Sequence, residues 1–381
     1  NTSFSLKDMA RKIPYVIVLY NYVGEDEYEK LKDVDPTSLD FKPEYAIHVA
    51  TVREEYDAIV KALKAEGFRA EAINIEDRLD KFESILRRQK PDVVFNLIED
   101  FHDDPKKEFL VAGLYDLYGI SYTGAPPFAL AICQRKGLTK QILHANGVRT
   151  PRFKLLFEPH MPRRHGLHYP LIVKPAREDA STGVTKGSVV FELEKLLEQV
   201  ALAFKGFSPP ILVEEFIEGR ELHVSILGND PPRVLPIIEY DFSELPTDHP
   251  SIISYKAKWD PLHEEYHRIH AICPAKLPKK VEKRVVQKAL EAYTLTNCRD
   301  YARIDLRLAE DNSVYVLEVN PNPDLTEAVS FMECAEKAGL SFSQTLRNIV
   351  EFALARRGAP TNSPIPSKEQ EIKASPPLKT S

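Results

Sequence analysis

Two short stretches hold residue types that bind metal ions and phosphates. In residues 301–323, YARIDLRLAEDNSVYVLEVNPNP, two β-type runs at 301–308 and 314–319 flank Asp311-Asn312. Asp and Asn both tolerate the left-handed backbone of a tight hairpin. With the turn centred between them, Asp305 lies opposite Glu318 and Arg303 opposite Asn320. Residues two apart on a strand share a face. Arg303, Asp305, Glu318 and Asn320 are therefore expected on one side, with Ile304, Leu306, Leu317 and Val319 in a core on the other. Directly opposed carboxylates repel, and no single protein cation suffices for both. Two carboxylates and an amide are hard oxygen ligands that suit Mg²⁺ or Mn²⁺ and leave room for phosphate oxygens and water. The alternative is a solvated polar face with Arg303 as counter-ion, and the hairpin by itself does not decide between them.

The second stretch, YPLIVKPAREDASTGVTKGSVV, delivers Lys174 at the end of an apolar strand and follows it with the small, polar loop Ala180-Ser181-Thr182-Gly183. Small residues let backbone N–H groups approach phosphate oxygens, and a lysine adds charge. It is not a Walker loop, since GxxxxGK[ST] is absent, and an ordinary turn has the same look. Next, ILVEEFIEGRELHVSIL sets Glu214, Glu215 and Glu221 around a turn at Glu218-Gly219. A strand edge can offer backbone groups to a purine and an acid can accept ribose hydroxyls; three acids on a solvated rim is the plainer reading. Lys136 and Lys140 share a helical face, and Lys256 and Lys258 lie in a loop without a local partner.

The elements that must position these residues follow from periodicity. Strand at 15–19, helix over 52–63 stopped by Gly67, strand at 70–75, helix at 79–89, strand at 92–97 and helix at 106–118 closed by Gly119 form a βαβα rhythm, which implies a parallel sheet covered by helices. Ligands bind beyond the carboxyl ends of such strands, where the acidic loop IEDFHDD (98–104) falls. After a helix at about 134–146, the texture changes to strands at 171–174, 188–191, 211–215 and 221–227 with few helices between, an α+β pattern with antiparallel sheet. Residues 241–270 have no clear period and read as a mobile loop. A helical stripe runs from Val281 to Tyr293, and Ser341 with Gln344 forms a capping box opening a last helix. The first dozen residues read as a loose end, and the Pro-, Ser- and Lys-rich stretch 358–381 as a disordered tail.

Composition excludes little but narrows the setting. The 381 residues are 43% hydrophobic and 28% charged with a net charge of −6, an ordinary globular balance. No long basic run argues for nucleic acid or an anionic membrane, and no apolar stretch is long enough to span a bilayer. The start lacks the apolar core of a signal peptide. Four scattered cysteines without a CxxC pair fit a reduced, cytoplasmic protein.

Taken in order, GISYTGAPPFALAICQRKGLTKQILHANGVRTP, LIVKPAREDASTGV, LVEEFIEGRELHVSIL, SYKAKW, RIDLRL, LEVNPNPDLT and AGLSFSQTL resemble the ATP-grasp superfamily, and within it the D-alanine–D-alanine ligase-like branch. The likeness runs from about Val93 to Ala355. It implies an α/β and α+β ATP-grasp fold: an N-terminal Rossmann-like substrate domain over 1–132, a small ATP-grasp subdomain over 133–219, and a C-terminal ATP-grasp subdomain with the metal site over 220–357. It also implies an ATP- and Mg²⁺-dependent ligase that joins small-molecule carboxylate and amine substrates through an acyl phosphate, with a homodimer as the default assembly.

By the same resemblance, Lys136 and Lys174 look like the ATP-binding lysines and Ser181, Thr182 and Gly183 like a lid over the phosphates. Glu214 and Ile217, with backbone groups at Glu215 and Phe216, look like adenine contacts, and Glu221 like the ribose-binding acid. Lys258 resembles a loop lysine that reaches the γ-phosphate. Asp305, Glu318 and Asn320 match the Mg²⁺ ligands, and Arg303 the arginine that steadies the acyl phosphate. The loop 241–270 is the expected lid, met by 180–186. Departures fall on the amino-acid side. FNLIEDFHDDPKKEF replaces a histidine–glycine and GEDG loop, Ala180 stands for a serine, Trp259 for a tyrosine, Asp324 for a glycine, and Val329 for the serine that holds the second substrate's carboxylate. These departures point away from D-alanyl-D-alanine as product. Two other classes remain open: a phosphotransferase on the same fold, which needs a basic acceptor pocket that the acidic loop 99–104 opposes, and a non-catalytic nucleotide-binding module, which usually has lost a metal ligand.

Overall fold

The structure, a computed structural model, describes residues 13–327 and 329–357. The loose start and the tail expected from sequence lie outside the described residues.

Three sheets organise the chain. Strands β1 (Tyr15–Tyr20), β2 (Arg69–Asn74) and β3 (Val93–Leu97) are parallel in the order β2-β1-β3. Val16 to Leu19 are fully buried, as a parallel strand covered on both faces requires. Helix α1 (Val52–Ala65) opens with a capping box between Thr51 and Glu54. Helices α2 (Leu79–Gln89), α3 (Glu108–Tyr118) and α4 (Pro127–Cys133) cover the other face through Phe82, Ile85, Tyr115 and Leu130.

The second sheet is antiparallel in the order β4-β7-β5-β6, with β4 at Phe153–Leu156, β5 at Leu171–Pro175, β6 at Val189–Val190 and β7 at Ile211–Glu215. Helix α5 (Lys136–Ala145) leads into it. The expectation of few helices here is wrong: α6 (Leu193–Gly206) fills the gap between β6 and β7 and packs Leu196 and Val200 onto the sheet. The strand expected over 188–191 shrinks to two residues because Phe191 turns out to solvent.

The third sheet runs β11-β10-β8-β12-β13, with β9 beside β8; the ranges are β8 Arg220–Leu227, β9 Arg233–Val234, β10 Ile238–Asp241, β11 His270–Ile272, β12 Tyr301–Leu308 and β13 Val314–Asn320. The loop between β10 and β11, read from sequence as having no period, contains two one-turn helices, α7 (Tyr255–Trp259) and α8 (Glu264–Arg268). One face of the sheet packs on α9 (Lys279–Leu295) through Val224, Ile304, Leu306, Val316 and Val319. The other packs Tyr301 and Leu227 on α10 (Ser330–Lys337) and α11 (Phe342–Ala355), and α11 also meets Ile59 and Leu63 of α1. One core thus ties the C-terminal helices to the N-terminal sheet. No helix among the described residues is long and apolar enough to cross a membrane.

The hairpin β12–β13 departs from its expected register in an instructive way. The turn is centred on Asp311, with Asn312 left-handed and Ala309 paired to Ser313 through a 3.0 Å hydrogen bond. Leu308 therefore faces Val314 and Leu306 faces Val316. A bulge after Asp305 then restores the pairs Asp305–Glu318 and Arg303–Asn320. Leu317 is the extra residue. Val316, not Leu317, takes the core position, while the Leu317 carbonyl accepts a hydrogen bond of 2.8 Å from Lys140 Nζ.

Candidate active site

Alternation on the third sheet places a polar row on one face. Ser225, His223 and Glu221 of β8 oppose Arg303, Asp305 and Arg307 of β12, and all six are buried. Arg303 grips Asp305 with two bonds, Nε to Oδ1 at 2.7 Å and Nη2 to Oδ2 at 2.9 Å. Asn320 Nδ2 donates to the same Oδ2 at 3.0 Å. Arg307 pairs with Glu221 at 2.6 Å, and His223 Nε2 lies between Glu221 (3.7 Å) and Asp305 (3.6 Å). Burial works to raise the Glu221 carboxyl, but Arg307 and His223 outweigh it and hold it below the usual range.

Lysines close the other side. Lys136, first residue of α5, lies 2.6 Å from Asp179 and 3.3 Å from Glu318. Desolvation opposes its charge, yet Asp179 and Glu318 hold it above the ordinary lysine value. Lys140, one turn on, is 1% exposed and lies 2.9 Å from Glu214 Oε2, while Lys174 of β5 lies 2.6 Å from Glu214 Oε1. Glu214, itself 1% exposed, is thus clamped between two lysines. Glu318 is desolvated too, but Lys136, Lys174, Arg303 and Lys258 hold it far below the carboxylate range. No single protein cation serves both opposed carboxylates, as expected, but each has one of its own: Arg303 pairs with Asp305 and Lys136 with Glu318.

The two loops expected to meet do so. Trp259 Nε1 donates to the Ala180 carbonyl at 2.9 Å, Tyr255 N to the Val184 carbonyl at 3.1 Å, and Lys186 pairs with Asp248 at 2.5 Å. Ser254 caps α7, the turn that carries Lys258. Burial depresses the Lys258 ammonium, and Arg303 adds to this against Asp305, Glu318 and Asp324. In the small-residue loop Ala180, Ser181 and Gly183 have positive φ. At Gly183 a Cβ would lie 2.6 Å from the Phe207 ring and 2.9 Å from Pro175, so only glycine fits.

At the strand end, the Glu215 amide donates to Arg152 O (2.9 Å) and the Phe216 amide to Pro170 O (2.8 Å), so both backbone donors are spent inside the protein. Glu215 Oε1 accepts from the His168 amide at 2.9 Å. Ile217 is half-buried beside them. An open cavity of about 410 Å³ lined by Phe216, Gly219, Ser251 and Arg307 lies next to Glu221.

Of the acids in loop 99–104, one acts on the site. Asp100 accepts from Asn21 (3.2 Å), Asp104 caps the turn at Lys106 (3.2 Å), and Asp103 points to solvent. Glu99 is exposed to solvent, yet surrounding protein desolvates its carboxyl; that desolvation, then Asp324 and Asp100, push it up to about 7 despite Lys258. Glu55 of α1, pushed up to about 7 by burial and by Asp324, joins it from a second element. Glu108, raised by burial and Glu99, accepts from Asn322 at 3.1 Å. Asn322 also accepts the Ala125 amide at 2.9 Å, and Gly124 must be glycine because a Cβ would collide with it. Val329 stands at the N-terminus of α10 with no side-chain cap.

The structure brings Lys136, Lys174, Glu214, Glu221, Lys258, Arg303, Asp305, Glu318 and Asn320, all singled out from sequence, into one neighbourhood. Sequence reasoning missed His223, whose signal is its two-residue spacing from Glu221; Lys140 as the Glu214 clamp, four residues from Lys136; and Glu55, for which a helix position gives no signal.

The profile of the family described as D-ala D-ala ligase C-terminus matches residues 144–351. A D-alanine–D-alanine ligase of Zymomonas mobilis is 32% identical over 299 residues, 77% of this chain and 87% of that protein. Among solved structures, D-alanine–D-alanine ligase from Bacillus anthracis complexed with ATP superposes with a TM-score of 0.66 at 22% identity, covering 90% of this chain and 98% of that one. VanG D-Ala:D-Ser ligase from Enterococcus faecalis does so at 0.63 and 20%, covering 90% and 100%. The fold is that of an ATP-grasp protein, and the chain is an enzyme of the ATP-dependent ligase class. The chain belongs to the D-alanine–D-alanine ligase family.

Proposed function

We propose that this ligase uses ATP and Mg²⁺ (or Mn²⁺) to activate a small carboxylate and joins it to an amine other than D-alanine. The observation that carries the specificity is the acid group Glu99, Glu55 and Asp324, from three separate segments, with Lys258 beside Glu99 and Asp324. Such a wall favours a substrate that carries a cation and repels an anionic acceptor, which also weighs against a phosphotransferase. Val329 offers no hydroxyl to a second substrate's carboxylate.

The residues fit the implied cofactors. Asp305, Glu318 and Asn320 form a hard oxygen set in register on two strands, suited to Mg²⁺. A bound ion would share or displace Arg303 and Lys136, the present partners. Lys136, Lys174, Lys258 and Arg303 all act on Glu318, a concentration of positive charge that suits a polyphosphate. When bound, ATP with its metal would supply the phosphoryl group that converts the carboxylate into an acyl phosphate, a mixed anhydride from which the amine displaces phosphate. The protein's share is positioning and charge neutralisation: Glu221 with Arg307 orients the ribose end, Lys136 and Lys174 hold phosphates, and Ser181, Thr182 and Gly183 close over them. Lys258 and Arg303 steady the developing negative charge. The contact between 180–186 and α7 excludes water from the activated acid. At the adenine end, Ile217 and the cavity beside Phe216 are the contacts, Glu214 serving through its lysines. We assign the Rossmann-like substrate domain to 1–132, the small ATP-grasp subdomain to 133–219 and the C-terminal one to 220–357, in a cytoplasmic homodimer.

The reaction class is tested by isotope transfer. With an ¹⁸O-labelled carboxylate and an amine that together drive ADP release, one label is expected in the released phosphate; phosphate free of label contradicts an acyl phosphate.

A further inference from the structure

The loop between β10 and β11 leaves and returns at one point, because Asp241 pairs with His270 across the two strands. Glu244 lies just past the exit and His270 at the return. A third residue, Glu44, comes from the segment before α1. Candidate ligand atoms of these three residues lie within 4.8 Å of one another. His270 Nε2 is 3.4 Å from Glu244 Oε1 and 3.8 Å from Glu44 Oε2. It is shielded from solvent and makes no hydrogen bond.

We propose that Glu44, Glu244 and His270 form a divalent-metal site of the zinc class that clamps the neck of the 242–269 loop onto the N-terminal segment. Zn²⁺ bonds of about 2.0–2.1 Å to nitrogen and oxygen place tetrahedral ligands about 3.3 Å apart, so the His270–Glu244 spacing already matches and Glu44 needs a small closure. The other ring nitrogen, Nδ1, is held by the Tyr45 hydroxyl at 2.8 Å, the outer contact that fixes the orientation of a metal-binding imidazole. Glu44 is held by its backbone: the Glu44 and Tyr45 amides both donate to His267 Nδ1, at 3.2 and 3.0 Å. His267 in turn contacts the Pro261 carbonyl through Nε2 at 2.9 Å, inside the same loop. Arg268 lies 3.7 Å from Glu244 Oε2, which leaves Oε1 for the ion. One imidazole with two carboxylates prefers Zn²⁺ to Mg²⁺, so this site is chemically separate from the all-oxygen set at Asp305 and Glu318.

The test uses the full chain, stripped with chelator and then kept in excess Mg²⁺. Zn²⁺ is titrated by calorimetry and Co²⁺ by visible absorption. One ion per chain is expected, bound at least tenfold more weakly by His270→Ala and by the surface variant Glu244→Gln, and slowing tryptic cleavage at Lys256 and Arg268 severalfold in the unmodified chain. His144→Ala, far from the cluster in sequence and exposed, should bind as the parent does. Absence of stoichiometric binding, or binding unchanged in Glu244→Gln and His270→Ala, overturns the proposal.

Discussion

Glu214 shows how the site's residues constrain one another. Its carboxylate is buried between Lys140 and Lys174, so each lysine matters to the fold as well as to any nucleotide. Breaking a buried pair leaves an uncompensated charge and costs about 3–5 kcal/mol. Lys140→Met leaves Glu214 paired with Lys174 alone, so it should lower stability by less than that, about 1–3 kcal/mol, in denaturant unfolding; unchanged stability would contradict the clamp. Glu318→Gln should abolish ADP formation in a protein that still folds, and full turnover in this variant or in excess chelator would remove the metal assignment. Glu99 makes a pH-dependent prediction. Its folded value of about 7 lies above that of a free glutamate, so the native state binds more protons than the unfolded chain between the two values. Its contribution therefore favours folding at low pH and is lost as pH rises towards 7. Glu99→Gln should raise the melting temperature at pH 8 and leave it unchanged at pH 4. The KM for a cationic amine should rise as pH falls from 8 to 6 as Glu99 and Glu55 take up protons, and this rise should flatten in the variant.

At the scale of elements, strands announced themselves and their partners did not. The hairpin β12–β13 was legible because alternating polar and apolar residues survive in both strands. Yet the right pairing of Asp305 with Glu318 rests on two offsetting departures: the turn is centred half a residue earlier than expected, and a bulge at Leu317 restores the register. A bulge leaves no mark in the pattern when both of its residues are apolar. Helix α6 was overlooked although Leu193, Leu196, Leu197, Val200 and Phe204 keep helical spacing. The small helices α7 and α8 are too short for any period. Their proposed role as a lid is supported by contacts such as Trp259 to Ala180, which join residues far apart in sequence. Trp259→Ala removes that hydrogen bond, worth about 1 kcal/mol, and should speed proteolysis within 180–186 and 242–269 without altering global unfolding. Equal cleavage rates in the two proteins would contradict a lid held by this contact.

Across the whole molecule, the site is assembled from three sheets: Glu99 beyond β3, Lys174 and Glu214 from the second sheet, and Glu221, Arg303, Asp305 and Glu318 from the third. The part proposed to handle ATP was legible because its residues cluster in short stretches with strand or loop signatures. The acid group was legible only in part, since Glu55 sits on α1 and reaches the cleft by tertiary packing. That group, with Lys258 beside Glu99 and Asp324, separates this chain's proposed chemistry from D-alanine dimerisation. The most direct measurement is coupled ADP release with D-alanine as the sole substrate, then with paired small carboxylates and amines, products being identified by mass. The account predicts slow release with D-alanine alone and at least tenfold faster release, with an amide product, for another acid–amine pair. Rapid turnover of D-alanine alone to its dipeptide would contradict it.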